Sequence, residues 1–168
     1  MRILLADKFP TSNLETLSGD GHECDLKPDL NGDTLPGAIG NAEILVVRST
    51  PVTRATVDAG PSLCLIIRAG AGTNSIDTQA ATEREIRVCN VPGRNAAAVA
   101  ELVIGLIIAI DRNIPDNVAD LRAGRWNKKR YSAARGLYGR SLGLVGLGAV
   151  GLAVLERARG FGFEMRVI

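Results

Sequence analysis

Metal-ligating and redox-active residues are scarce in this sequence. It has one histidine, His22, and three cysteines, Cys24, Cys64 and Cys89, in 168 residues, and no two cysteines form a C-x-x-C pair. That spacing excludes a zinc site or redox couple of the usual pattern. Each cysteine lies in a strand-like run ("HECDL", "LCLII", "RVCNV"), so all three are expected to be reduced core residues. His22 follows "GDG" at a strand start, where a turn or surface role is expected rather than catalysis. Aromatics reach only 4%, and the basic stretch 122–140 interleaves little beyond Trp126 and Tyr131, which argues against nucleic-acid binding. The most apolar run, "AAAVAELVIGLIIAI" (96–110), is interrupted by Glu101 and falls short of the roughly 20 residues a membrane helix needs. It reads as a buried or interface helix. Met1 leads straight into "RILLAD" with no basic region, long apolar region or cleavage site, so no signal peptide is read and the expected address is cytoplasmic. Seven prolines and no low-complexity tract or repeat speak against long disorder.

What is present suits soluble α/β material, with 46% hydrophobic and 23% charged residues. The net charge of +2 hides an asymmetry: residues 1–90 carry 8 Lys and Arg against 12 Asp and Glu, and residues 91–168 carry 12 against 6. The second part therefore favours anions. Short apolar runs recur at 3–6, 44–47, 63–67 and 88–91, and they are continuous rather than alternating, which indicates a parallel sheet covered on both faces. Helices are predicted at about 11–19, 34–41, 53–59 and 76–85, several opening on Thr, Asp or Asn caps. This is a doubly wound parallel-sheet unit of flavodoxin-like kind over residues 1–95. A long helix from Asn95, its natural N-cap, to Ile110 follows, and then a second helix with Pro115 at its start and Gly124 as its stop signal. Residues 125–140, basic and glycine-containing, read as a linker or crossover. Beyond them βαβ begins afresh, so 96–168 is expected to hold an interdomain helix, a linker and the start of a Rossmann nucleotide-binding domain.

That start is "SLGLVGLGAVGLAVLERARGFGFEMRVI" (141–168). Gly146, Gly148 and Gly151 stand in G-x-G-x-x-G spacing between a strand and a helix. The first glycine permits a tight turn, the second lets backbone approach a pyrophosphate, and the third lets helix and strand pack closely. The phosphate would rest on free N–H groups at the helix N-terminus, those of Ala149, Val150 and Gly151. The acid that binds the adenosine ribose should end the second strand, "EMRVI", about 20 residues on. The sequence stops within a few residues of that point, so NAD and NADP are not separated by it.

In order, "VVRSTPVT" (46–53), "IIRAGAGTNSIDTQAATEREIRVCNVPGRNAAAVAELVIGLIIA" (66–109), "GRWNKKRY" (124–131) and "GRSLGLVGLGAVG" (139–151) resemble the D-2-hydroxyacid dehydrogenase family, and Trp126 with its basic neighbours looks most like the phosphoglycerate branch. The resemblance spans nearly the whole chain. It implies a substrate domain and a Rossmann domain facing across a cleft, with the long helix passing between them and forming a dimer. It further implies hydride transfer between NAD and C2 of a 2-hydroxy or 2-oxo acid. The family's catalytic arginine, glutamate and histidine belong to a later part of the nucleotide domain, and none can be placed in this chain; neither His22 nor Glu101 fills the vacancy. The sequence is therefore expected to be the N-terminal part of such an enzyme and inactive as given.

On the substrate side, Arg48 and Ser49 match the family's "RS" pair, and an arginine there can meet a carboxylate or phosphate with a bidentate fork; a strand-end surface ion pair is the plainer role. Arg68 is similar and could instead serve the fold. Ala71 and Gly72 match the substrate and nicotinamide loop. Asn95 matches the family's asparagine after "PG", although capping alone would account for it. Arg125, Lys128, Lys129 and Arg130 are a solvated basic linker or, in the phosphoglycerate branch, residues that reach a substrate phosphate in a neighbouring subunit. A different class also stays open: a non-catalytic binding or dimerisation module of the same fold.

Overall fold

The computed structural model describes residues 1–167. The chain divides into two compact units, Met1–Pro92 and Gly93–Ile168, slightly ahead of the boundary expected at residue 95. The first unit is built from β1 (Arg2–Leu5), α1 (Thr11–Gly19), β2 (Glu23–Leu26), α2 (Leu35–Ala38), β3 (Ile44–Val47), α3 (Arg54–Ala59), β4 (Leu65–Arg68), α4 (Thr78–Glu83) and β5 (Arg87–Asn90). Its strands pair in parallel in the order β2-β1-β3-β4-β5. This is the flavodoxin-like doubly wound order.

The apolar runs explain the sheet. Successive side chains point to opposite faces, so an unbroken apolar strand can be buried only between two helical layers. Leu4, Leu45, Val47 and Ile66 pack on one face with Leu35, Ile39, Val57, Ala80 and Ala81 from the helices. Ile3, Leu5 and Ile44 face the other way, toward Phe9, Leu17, Cys24 and Ile67. Leu45, on central strand β3, is fully buried; truncating such a leucine to alanine costs about 2–5 kcal/mol.

Three sequence-based expectations are corrected here. All three cysteines are free, as expected, but none is a core residue: Cys24 is half-buried, and Cys64 and Cys89 are exposed. Cys64 precedes β4 and gives its thiol to the Glu43 carbonyl at 3.3 Å, and Cys89 lies on edge strand β5, which is exposed along most of its length. An apolar run marks a strand without saying that the strand is central. Helices predicted over 34–41 and 76–85 shorten to α2 and α4. Asp77 caps α4 by accepting from the Ala80 amide at 2.8 Å, and Glu85, at φ +57°, lies beyond its end. The expected linker at 125–140 contains a helical turn of its own, described below.

The second unit comprises α5 (Ala96–Asp111), α6 (Ile114–Arg122), α7 (Lys128–Tyr131), β6 (Ser141–Leu144), α8 (Ala149–Arg159) and β7 (Glu164–Val167). Strands β6 and β7 pair in parallel, giving the expected βαβ start; Ile168, read as part of the last strand, lies outside the described residues. Helices α5 and α8 pack through Ala100, Ile104, Val154 and Ala158, and the two fully buried alanines let the backbones come close. Asn113, at φ +50°, breaks α5 from α6; asparagine is one of the few residues that tolerates the left-handed region. At the other end of α6, Gly124 (φ +71°) donates to Leu121 O and Arg125 to Asp120 O, a complete Schellman stop.

Asn95 occupies the N-cap position of α5, but its side chain bonds no helix amide. Its ψ of 0° departs from the extended geometry in which a cap oxygen reaches the N2 or N3 amide. Among the described residues no helix is long and apolar enough to cross a membrane.

Candidate functional site

In the first unit, the expected substrate residues come together at the carboxyl ends of neighbouring strands. Val47 and Arg68 are partners in the β3–β4 register, and the Ala69 amide donates to the Val47 carbonyl at 2.7 Å. Arg48 and Ser49 therefore leave the sheet beside the Ala69–Gly72 loop. Ligands of parallel α/β sheets bind at this end. The Arg48 side chain is exposed and forms no ion pair among the described residues. Arg68 folds back over Gly70, where an added Cβ would overlap its guanidinium, and its Nε is buried with no hydrogen-bond partner among the described residues. A buried donor left unpaired is expensive, so Arg68 has spare bonding capacity at this end of the sheet.

Two residues that hold these loops were missed in the sequence. Asn90, at the end of β5, donates its Nδ2 to the Ala71 carbonyl at 2.6 Å, and the Val91 amide donates to Gly70 O at 2.9 Å. Asp7, just past β1, is buried and accepts from the Arg48, Ser49 and Thr50 amides and the Ser49 hydroxyl. Burial pushes its carboxyl up, but those four hydrogen bonds outweigh it and hold the group below its ordinary value. No local pattern announces either residue. The only signal was a polar side chain directly after an apolar strand.

The glycine turn of the second unit has the geometry its spacing implies. Gly146 has φ +87°, which favours glycine. Gly148 is the N-cap of α8, and a Cβ there would meet nothing within 4 Å, so the backbone faces open space. At Gly151 an added Cβ would overlap the Gly146 carbonyl oxygen. Ala149, Val150 and Gly151 form the first turn of α8, and the first turn-closing bond runs from the Leu152 amide to Gly148 O. Their amides are the donors that a helix N-terminus leaves free for an anion, so the turn fits a dinucleotide pyrophosphate. Gly93 (φ +78°) brings the approach to α5 beside this turn: a Cβ on Gly93 would lie 4.0 Å from that of Ala149.

The basic segment proves to be an internally braced corner. Asp120 of α6 accepts from Arg125 Nη2 at 2.7 Å and from the Tyr131 hydroxyl at 2.6 Å, with Arg130 Nη1 at 3.6 Å. Arg130 also reaches Asp116 at 3.3 Å. The Asn127 side chain caps α7 by accepting from the Arg130 amide. The Tyr131 and Arg125 hydrogen bonds hold the Asp120 carboxyl below its ordinary value, and the same bond raises the Tyr131 hydroxyl. Arg125 and Arg130 are thus neutralised within the corner, while among the described residues Lys128 and Lys129 enter no ion pair. Trp126 is 78% exposed beside them. His22 sits in the turn before β2 with a buried, unpartnered Nδ1, and no group of metal-ligating residues is assembled among the described residues.

A family model for the catalytic domain of D-isomer specific 2-hydroxyacid dehydrogenases matches residues 3–161. The chain belongs to this family. All the candidate residues, from Arg48 to Gly151, fall inside the matched span. The chain is 40% identical over 166 residues to D-3-phosphoglycerate dehydrogenase of Methanocaldococcus jannaschii, covering 98% of itself and 31% of that protein. It is 42% identical over 137 residues to hydroxypyruvate reductase of Thermotoga maritima, covering 81% of itself and 44% of that protein. Among solved structures, NAD+-bound 3-phosphoglycerate dehydrogenase of Entamoeba histolytica matches with a TM-score of 0.81 at 30% identity, over 100% of this chain and 53% of that one. The chain therefore spans less than half the length of either curated relative.

Proposed function

We propose that this chain is the N-terminal part of an NAD-dependent D-2-hydroxyacid dehydrogenase that oxidises 3-phosphoglycerate to 3-phosphohydroxypyruvate, toward serine. A bound nicotinamide would accept the hydride leaving C2, while the hydroxyl proton goes to a base. The residues of this chain bind and orient. Arg48, with Ser49 and Arg68, offers donors to the carboxylate end of the substrate, and the Ala71–Gly72 backbone lies beside them. Lys128 and Lys129 meet the phosphate dianion of a substrate held by a neighbouring subunit, with Arg130 as their brace, and Asn95 belongs to the substrate side. The amides of Ala149, Val150 and Gly151 hold the pyrophosphate.

The observation that carries the reading is the glycine turn, which keeps open space at Gly148 and excludes any side chain at Gly151. The identity to D-3-phosphoglycerate dehydrogenase of M. jannaschii supports the substrate. We assign homo-oligomerisation to α5, whose outward stripe Leu102, Leu106 and Ile110 is 62%, 52% and 76% exposed. Ile114, Val118 and Leu121 of α6 are exposed as well. A row of large apolar side chains open to water marks an association surface. The 168-residue chain holds one histidine, His22, which precedes β2 at the opposite end of the sheet from Arg48, so the chain binds without turning over. The test is an assay of NAD-dependent 3-phosphoglycerate oxidation with this chain and with one extended through the complete nucleotide domain. Turnover is expected only in the second; turnover that tracks the shorter polypeptide through purification refutes the assignment of the missing catalytic set.

A further inference from the structure

The turn after β3 is held by a carboxylate 41 residues away in sequence. Asp7 Oδ2 accepts three consecutive backbone amides, those of Arg48 at 2.6 Å, Ser49 at 3.1 Å and Thr50 at 3.2 Å, and Oδ1 accepts the Ser49 hydroxyl at 2.8 Å. The Thr50 hydroxyl completes the tie by donating to Ala6 O at 2.8 Å and Leu30 O at 3.3 Å. Successive amides that converge in this way make an anion nest. Here the nest is filled by the chain's own carboxylate. The backbone of the turn is therefore satisfied internally, and an external anion is left to the side chains. Those are Arg48 and Lys8, neither ion-paired among the described residues, at a hollow of about 480 Å³ that they line with Asp7, Ser49 and Pro28. The hollow lies between the ends of β1 and β3, the point where the strand order reverses and where doubly wound sheets bind ligands.

We propose that Asp7 is a positioning residue: it locks the Arg48–Thr50 turn so that the Arg48 guanidinium is presented to a carboxylate or phosphate of the substrate. The proposal rests on the reading of Arg48 as a substrate ligand given above. An asparagine at position 7 keeps the shape but loses the charge, and hydrogen bonds to a charged acceptor are roughly twice as strong as neutral ones. An alanine would leave three amides without a partner.

The test uses the 168-residue chain, titrated with D-3-phosphoglycerate and, separately, D-glycerate while the Arg48 Nε and the Arg48–Thr50 amides are followed by NMR. A response to both probes marks the carboxylate as the anchor; a response to D-3-phosphoglycerate alone marks the phosphate. Either is consistent with Arg48 as ligand. Asp7→Asn and Arg48→Ala should each weaken binding at least tenfold, and the double variant should bind no more weakly than Arg48→Ala, because Asp7 acts through Arg48. Hydrogen exchange at the Arg48–Thr50 amides should rise in Asp7→Asn while β3 stays protected. Leu45→Ala, which loses core packing, should lower the melting temperature and leave affinity within about twofold, separating positioning from stability. Unchanged affinity in Asp7→Asn, or additive losses in the double variant, overturns the role of Asp7 alone. Unchanged affinity in Arg48→Ala, or no response in the unsubstituted chain, overturns the reading of Arg48 and the proposal with it.

Discussion

Alanine at Gly151 and alanine at Gly148 should damage the glycine turn in opposite ways. At Gly151 the new Cβ overlaps the Gly146 carbonyl oxygen, a backbone atom in a turn fixed by φ +87°, so no flexible side chain can move aside. Overpacking of this kind costs about 1–3 kcal/mol, and the better helix propensity of alanine returns at most about 1 kcal/mol. Because the obstructing atom is backbone, the cost lies at the upper end, about 2–3 kcal/mol, and the net loss of about 1–2 kcal/mol corresponds to roughly 4–16 °C in the melting temperature of a unit this size. At Gly148 the Cβ meets nothing within 4 Å, and the backbone, at φ −74° and ψ −170°, is ordinary extended chain. Stability should therefore hold to within about 0.5 kcal/mol, while the space needed by a pyrophosphate is lost. Calorimetry of both variants without ligand, followed by NADH titration of the chain extended through the nucleotide domain, separates the two effects. Gly148→Ala should melt normally and bind NADH at least tenfold more weakly, about 1.4 kcal/mol. If Gly151→Ala melts like the unsubstituted chain, or Gly148→Ala binds NADH normally, the division of labour among the glycines is wrong.

In the extended enzyme, Lys128→Ala with Lys129→Ala should raise KM for 3-phosphoglycerate at least tenfold and leave KM for an unphosphorylated 2-hydroxy acid within about twofold, since only the former carries a dianion; equal effects would make the pair ordinary surface. Arg130→Ala should instead loosen the corner, read as a changed near-ultraviolet circular dichroism of Trp126 and Tyr131, because its partners are Asp116 and Asp120. The Asp120 carboxyl lies below its ordinary value of 3.8 in the folded chain, so its contribution is fully present above that value and vanishes as pH falls through the folded one. The same aromatic signal should therefore be flat from neutral pH down to about 4 and fall only below; a loss centred near pH 6 would contradict the bracing by Asp120. Leu106→Glu, placing a charge in the exposed stripe of α5, should shift the sedimentation of the chain toward monomer, and an unchanged mass would remove α5 from the association surface.

Local pattern carried most of the fold. Unbroken apolar runs such as "ILVV" can be buried only between two layers, so the parallel sheet, its alternating helices and the restart of βαβ after residue 140 were legible without coordinates. The glycine spacing likewise encodes φ requirements and close approaches that act over a few residues, and Gly146, Gly148 and Gly151 behave as their positions require. Other features depended on contacts between distant segments. Cys64 and Cys89 sit in strand-like runs but are exposed: Cys64 stands just before β4, where the strand has not yet begun, and Cys89 lies on β5, an edge set by strand order, which the run itself does not contain. Arg125, Lys128, Lys129 and Arg130 look alike in sequence, yet Asp116 and Asp120 neutralise two of them and, among the described residues, leave the lysines without an ion pair, since only the packing of α6 against the following turn decides which charges meet. Asp7 had only the faint local signal of a polar residue after an apolar run. Its four partners lie about 40 residues away, and a hydrogen bond across that separation exists only once parallel pairing has laid the end of β1 beside the end of β3.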